Sequence, residues 1–170
     1  HEPRARRSEL ATPASSEKMS MKAASSGADQ VFLDLEDACA PVAKVGARSI
    51  AVAALTGQAW GHTVRAVRVN GLDTPWCHDD VIEVVTGAGD HLDVLIVPKA
   101  RTARDVWWVD VLLTQLEAKL GVNPYKFGLA GGSDAHTGLA AMEEENFFGK
   151  TAPQEPSPKR MTKAFFDNAK

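Results

Sequence analysis

Residues 31–41 read VFLDLEDACAP. The run VFLDL is apolar except for Asp34 and rich in strand-forming types, so it reads as a buried strand. It ends in three carboxylates, Asp34, Glu36 and Asp37. Pro41 then stands at a plausible first helical position, where its missing N–H costs nothing. An Ala-rich helix follows to Leu55, and Gly57 and Gly61 mark a loop. The stretch is one β-strand, one acidic strand end and one helix.

The same unit recurs on both sides. Upstream, Ser8 to Thr12 is a short strand closed by Pro13, and Ser15-Ser16-Glu17 opens a helix to about Ser26, stopped by Gly27. Downstream, Val64 to Val69 is a third strand, and a helix runs from Thr74 to Thr86 with Pro75 near its start and Gly87 behind it. Val94 to Val97 is a fourth strand, closed by Pro98. Thr102 to Leu120 is a helix with Val106, Val109, Leu112, Leu113, Leu116 and Leu120 at steps of three and four. Gly121 caps it, and Lys126 to Ala130 is a fifth strand. Strands roughly 25–33 residues apart, each followed by a helix, predict an α/β fold with a parallel sheet. The strands are continuous apolar runs, as expected when both faces are covered. A (β/α) barrel and a doubly wound sheet both satisfy this pattern, although no GxGxxG follows the first strand.

The totals narrow the function classes. The chain has 170 residues, 44% hydrophobic and 24% charged, with a net charge of −3. Nothing in that balance favours nucleic acid, and Arg4, Arg6 and Arg7 read as a solvated tail. No apolar run approaches the ~18–20 residues of a membrane helix. HEPRARRSEL is not a signal peptide, since no apolar segment follows its basic residues. Cys39 and Cys77 form no paired pattern, which predicts reduced thiols in a cytoplasmic protein. Residues 151–158, TAPQEPSP, carry three prolines and read as coil.

In parallel α/β architectures chemistry gathers at the carboxyl ends of strands. The second strand offers Asp34, Glu36 and Asp37. Alternation puts Asp34 and Glu36 on one face, where joint ionisation needs a cation or an arginine between them. The plainer reading makes Asp37 a helix cap and Glu36 the partner of a surface Lys or Arg. The third strand ends in Arg68-Val69-Asn70-Gly71, and an arginine on a buried strand must be paired with carboxylates or a substrate. The fourth ends in Pro98-Lys99. Together these make a polar rim suited to an anion and a metal. His62, His78 and His91 have no metal-like spacing and read as surface residues. Trp107 and Trp108 are adjacent on a helix and cannot both face the core, so one covers a partner or a neighbouring chain. Further on, residues 126–140 read KFGLAGGSDAHTGLA, a strand followed by Asp134 and His136, a second candidate metal pair.

The segments RSELATPASSEKM, VFLDLEDACAP, VRAVRVNGLDTPW, DVIEVV, LDVLIVPKA and LLTQLEAKLG together resemble the HpcH/HpaI aldolase and citrate lyase β-subunit-like family, particularly its malyl-CoA lyase branch. The resemblance covers about residues 7–122. It implies a TIM barrel whose members make or break a carbon–carbon bond between a coenzyme A thioester and a short oxo acid such as glyoxylate, with Mg²⁺. It implies that Arg68 contacts the substrate, that Lys22 contacts coenzyme A, and that Asp34, Glu36 and Asp37 flank the metal. A further family arginine that contacts coenzyme A falls on Ser16 here, with Lys18 nearby. The family's direct metal ligands are a Glu on the fifth strand and an Asp on the sixth. Ala130 stands nearest the first, and no sixth strand follows.

Residues 124–160, from YKFGLAGGSDAHTGLAAMEEENFFGK onward, resemble instead a domain of unknown function related to PHP-type metal-dependent phosphoesterases. There Asp134 and His136 would be ligands, with Glu144 or Glu145 as further candidates. This divides the chain into a half-barrel over 7–122, a foreign fifth strand and helix over 123–150, and a Pro-rich coil over 151–170. A closed barrel needs eight strands and ~250 residues. The expected fold is therefore a partial (β/α) barrel of four to five parallel units, open rather than closed. Its exposed edge predicts homo-oligomerisation or poor solubility. The expected function is a Mg²⁺-dependent lyase for a coenzyme A ester, impaired in this chain. The alternatives are a hydrolase centred on Asp134 and His136, or a non-catalytic fragment.

Overall fold

A computed structural model describes residues 6–121 and 128–130 of the chain. The strands are β1 Glu9–Pro13, β2 Gln30–Asp34, β3 Val64–Arg68, β4 Val94–Ile96 and β5 Gly128–Ala130. They form one sheet in the order β1-β2-β3-β4-β5, every neighbouring pair parallel. That order settles the architecture. A doubly wound sheet reverses its strand order at a switch point. Here each unit is laid beside the one before, as in the wall of a (β/α) barrel.

The helices are α1 Glu17–Ala23, α2 Lys44–Gly57, α3 Cys77–Ala88 and α4 Ala103–Leu120. Strand period explains the two sides of the sheet. Val31, Leu33, Val67 and Leu95 join Ala51, Leu55, Val81, Val84, Val109 and Leu113 of the helices in one buried cluster. Phe32, Val64, Ala66, Val94 and Ile96 make a second, smaller cluster on the other face. Helices therefore cover one face, and the opposite face is the inner side of a barrel segment. The chain divides at Gly131–Gly132, and every described residue belongs to the first unit.

Local chemistry sets the boundaries. The Ser16 hydroxyl accepts from the Met19 amide and caps α1. Thr102 and Asp105 form a reciprocal capping box at α4, and Gly121 closes that helix in the left-handed conformation, φ 67°. Three expectations shift. Pro41–Ala43 form a separate 3₁₀ turn, and α2 proper starts at Lys44. Pro75 precedes α3 by two residues instead of opening it, and Gly87 lies inside that helix. The reason is packing: a Cβ on Gly87 would stand 2.8 Å from Val52 Cγ1 of α2, so the glycine admits the neighbouring helix and is no stop signal. Trp107 is exposed while Trp108 packs on the core, as their adjacency requires.

Among the described residues no helix is long and apolar enough to cross a membrane. His62, His78 and His91 are exposed. Cys39 and Cys77 are free and buried. Burial first, then Asp80 and Asp73, push the Cys77 thiol up to about 12, which leaves it a poor nucleophile.

Candidate functional site

The parallel register places Asp34, the last residue of β2, beside Arg68, the last of β3. Arg68 grips Asp34 with two hydrogen bonds, Nε to Oδ1 at 2.9 Å and Nη2 to Oδ2 at 2.8 Å. The same carboxylate accepts the amides of Glu36 at 2.8 Å and Ala38 at 2.9 Å. Burial alone would raise the Asp34 carboxyl; Arg68 and the two amides outweigh it and hold it below the usual range. Its hydrogen bond to Asp34 in turn raises Arg68. The guanidinium lies over the Phe32 ring at 5.2 Å and remains 21% exposed. Nη1 donates no hydrogen bond to any described residue, so this rigidly clamped arginine keeps a donor to spare.

Glu36 lies between two cations. Its Oε1 meets Lys99 Nζ at 2.8 Å, and its Oε2 stands 3.5 Å from Arg68 Nε. Oε2 is buried and has no hydrogen-bond partner among the described residues. Lys99 also reaches Asp37 at 3.3 Å, and its hydrogen bond to Glu36 raises its pKa. Lys99 follows β4 in a left-handed conformation, φ 53°, uncommon for a residue with a side chain. A cleft of about 230 Å³ opens beside it, lined by Leu72, Asp73, Lys99, Arg101 and Asp105.

Asp34, Glu36, Asp37 and Arg68 are thus brought together, joined by Lys99. The plainer reading of the acids is corrected in one respect. Asp37 caps no helix, since the turn at Pro41 has no side-chain cap, and it is Asp34 that takes the free amides of the turn. Lys22 stands apart, exposed in the last turn of α1. A helix that follows a parallel strand runs back from the strand ends, so Lys22 lies about 8 Å down α1 from the rim. Asp134 and His136 lie outside the described residues.

Sequence reasoning passed over a second cluster. Lys44 Nζ donates to the carbonyls of Leu35 at 2.9 Å and Glu36 at 2.8 Å, and to Asn70 Oδ1 at 2.5 Å. Asn70 Nδ2 donates to Asp80 Oδ2 at 2.6 Å, and Arg48 Nε meets Asp80 Oδ1 at 2.7 Å. All four residues are buried. The signal was present in the sequence. Lys44 and Arg48 lie on the stripe of α2 that also carries Ala47, Ala51 and Leu55, and Asp80 lies on the stripe of Cys77, Val81 and Val84. Charges on an apolar stripe are rarely buried unless paired.

A magnesium ion, as the family resemblance implies, fits these residues only in part. Both oxygens of Asp34 are engaged by Arg68 and by the Glu36 and Ala38 amides, whereas Glu36 Oε2 is a buried carboxylate oxygen with no hydrogen-bond partner among the described residues. Among the described residues no group of three His, Cys, Asp or Glu converges as a metal site. Mg²⁺ is usually held by one or two carboxylates completed by water and substrate. The rim can orient such an ion but does not enclose it.

Comparison with known proteins agrees with this fold. The chain is 42% identical over 142 residues to the L-malyl-CoA/beta-methylmalyl-CoA lyase of Cereibacter sphaeroides, a match covering 83% of the chain and 44% of that enzyme. It thus spans less than half the length of this relative. The protein CitE of Mycobacterium tuberculosis, in complex with magnesium, acetoacetate and coenzyme A, shares 30% identity and a TM-score of 0.50 over 62% of the chain and 38% of its own. The Haloferax volcanii malate synthase magnesium/glyoxylate complex has the same fold, with a TM-score of 0.68 at 19% identity over 83% of the chain and 44% of its own. The family match runs over residues 7–146, past Val122, where the sequence reading ended it. It takes in most of the segment read as PHP-related, and no comparison supports that separate assignment. On this evidence the chain belongs to the HpcH/HpaI aldolase/citrate lyase family.

Proposed function

We propose that this chain carries the strand-end rim of a Mg²⁺-dependent lyase that cleaves the coenzyme A thioester of a short hydroxy acid. Malyl-CoA, giving acetyl-CoA and glyoxylate, is the substrate of choice. The observation that carries the reading is Arg68. It is fixed by a bidentate clamp at a barrel-type strand end, is partly exposed, and has Nη1 available. Such a guanidinium suits the carboxylate or carbonyl of an oxo acid. Asp34 keeps its plane fixed, so no reorganisation is required when charge develops nearby. Glu36 and Lys99 set the sign of the field beside it.

When bound, Mg²⁺ would supply Lewis-acid polarisation of the oxo acid carbonyl. Glu36 and Asp37 are the described carboxylates nearest to hand for it, directly or through water. Lys22 remains the proposed coenzyme A contact. Lys18, in the first turn of α1, is the cation closer to the rim. The proposed setting is the cytoplasm, and the proposed assembly is a homo-oligomer formed through the sheet edge.

The test is turnover of malyl-CoA by this chain with Mg²⁺, followed as glyoxylate. We expect slow formation that falls about 100-fold or more in Arg68→Ala. Glyoxylate formation indifferent to that substitution would remove Arg68 from the reaction. Release of free coenzyme A without glyoxylate would replace the lyase by a thioester hydrolase.

A further inference from the structure

We propose that Lys44 is a positioning residue for the rim, one that aims the Glu36 carboxylate by holding the Glu36 main chain. The inference rests on the lyase reading for its purpose and on the geometry of the buried cluster for its substance.

The Lys44 ammonium has three donors and three acceptors, the carbonyls of Leu35 and Glu36 and the Asn70 side-chain oxygen. None is a carboxylate. Its formal countercharge, Asp80, is reached only through Asn70. A buried ammonium held this way costs more than an apolar side chain of the same length. The ammonium lies over the Trp76 ring at 5.1 Å, a cation–π contact that a methionine would exchange for a sulfur–aromatic one of similar size. Stability alone therefore gives little reason for a lysine here.

What an ammonium can do, and a methionine cannot, is gather two successive carbonyls onto one point. In a strand successive peptide groups point to opposite sides, as successive side chains do. The Leu35 amide still pairs with the Arg68 carbonyl at 2.9 Å, in continuation of the sheet. One residue later the Leu35 and Glu36 carbonyls converge on Lys44, so the chain leaves strand geometry at that point. This break turns the Glu36 side chain onto the rim, with Oε1 on Lys99 and Oε2 near Arg68. Asn70 Nδ2 also donates to the Leu35 carbonyl at 2.9 Å and the Cys39 amide to the Glu36 carbonyl at 3.1 Å, but among the described residues Lys44 alone ties the two carbonyls together. A Glu36 that swings away leaves Arg68 with Asp34 and Lys99 with Asp37 and no carboxylate shared between them.

The experiment compares wild type with Lys44→Met, Lys44→Arg and Lys44→Gln by NMR, reading the Arg68 Nε–H exchange rate and the Glu36 carboxyl resonance. We expect Lys44→Met to speed Arg68 Nε–H exchange about tenfold and to move the Glu36 resonance, with partial recovery in Lys44→Arg. Val81→Ala serves as a control that lowers stability without touching the rim. If Lys44→Met behaves like that control, losing stability with both signals unmoved, the proposal is overturned. If it does not fold, Lys44→Gln, which donates without charge, is read in the same way. Glyoxylate titration separates this inference from the lyase reading. A wild type that binds none overturns the lyase, while the Arg68 and Glu36 signals still decide Lys44.

Discussion

Two polar clusters stand on opposite sides of the same strand ends. On the inner side, Asp34, Arg68, Glu36 and Lys99 form the rim. On the helix side, Lys44, Asn70, Asp80 and Arg48 form a chain of contacts between α2, β3 and α3. Each joins a lysine and an arginine to an aspartate, with a glutamate as fourth member in the rim and an asparagine in the buried chain. They differ in saturation. In the buried chain Asp80 uses both oxygens, accepting Arg48 on one and Asn70 side chain and amide on the other. In the rim, Glu36 Oε2 has no hydrogen bond among the described residues, and Arg68 is partly open to solvent. A closed network holds a fold together, whereas an incomplete one has capacity for a ligand. Residue type alone would not have told them apart.

The comparison breaks most visibly at Asp80. Asp80→Asn removes the anion shared by Arg48 and Asn70 and leaves buried cations uncompensated. We expect a loss of about 3–5 kcal/mol in urea unfolding. Glu83, 2.8 Å from Arg48 but half exposed, offsets only part of it. Arg68→Ala should cost clearly less, since Asp34 keeps the amides of Glu36 and Ala38. Equal losses would mean that the rim is as structural as the buried chain.

The second prediction sharpens the same contrast through pH. Asp34 is held below its ordinary value, so between its folded and unfolded pKa values the unfolded chain binds more protons. Stability then rises with pH across that window, is fully present above the unfolded value of ~3.9, and is lost as pH falls through the folded one. Asp34→Asn abolishes this contribution. We expect the variant to be about 2 kcal/mol less stable than wild type at neutral pH, and the two curves to converge in acid. Parallel curves from pH 7 to pH 3 would show that Arg68 does not hold Asp34 ionised.

How much of this was legible follows from the physics of each residue. Asp34, Glu36, Asp37 and Arg68 could be read because strands end abruptly and a parallel sheet aligns its carboxyl ends. The barrel-type order was not legible, since a doubly wound sheet yields the same alternation of strands and helices. Strand order depends on which side each crossover returns, and no single βα unit encodes that. Gly87 misled because a glycine stops a helix or admits a neighbour, and only the contact with Val52 distinguishes the two. Lys44, Arg48 and Asp80 were hidden within Ala- and Val-rich stripes, where a charge is easily taken for a solvated edge. Asn70, which engages Lys44, and Asp80, which engages Arg48, lie 26 and 32 residues away from them.

Lys99 gives the smallest effect and the finest test. Lys99 is itself half exposed in its ion pairs with buried Glu36 and half-exposed Asp37, and pairs whose cation is open to water contribute little to stability. Its backbone, in contrast, occupies the left-handed region at a cost of about 1 kcal/mol for any residue with a Cβ. Lys99→Ala keeps that strain and loses the ion pairs, so it should be a few tenths of a kcal/mol less stable than wild type. Lys99→Gly loses the same pairs and relieves the strain. Against that stands the greater freedom of glycine in the unfolded chain, worth about 0.5–1 kcal/mol. We expect the glycine variant to equal or exceed the alanine variant in thermal unfolding, while both lose the same capacity to bind glyoxylate. A strained lysine that stabilises little and yet governs binding belongs to the rim's chemistry. If Lys99→Ala instead costs as much as Asp80→Asn, the ammonium is a structural pin, and the line drawn between the two clusters falls in the wrong place.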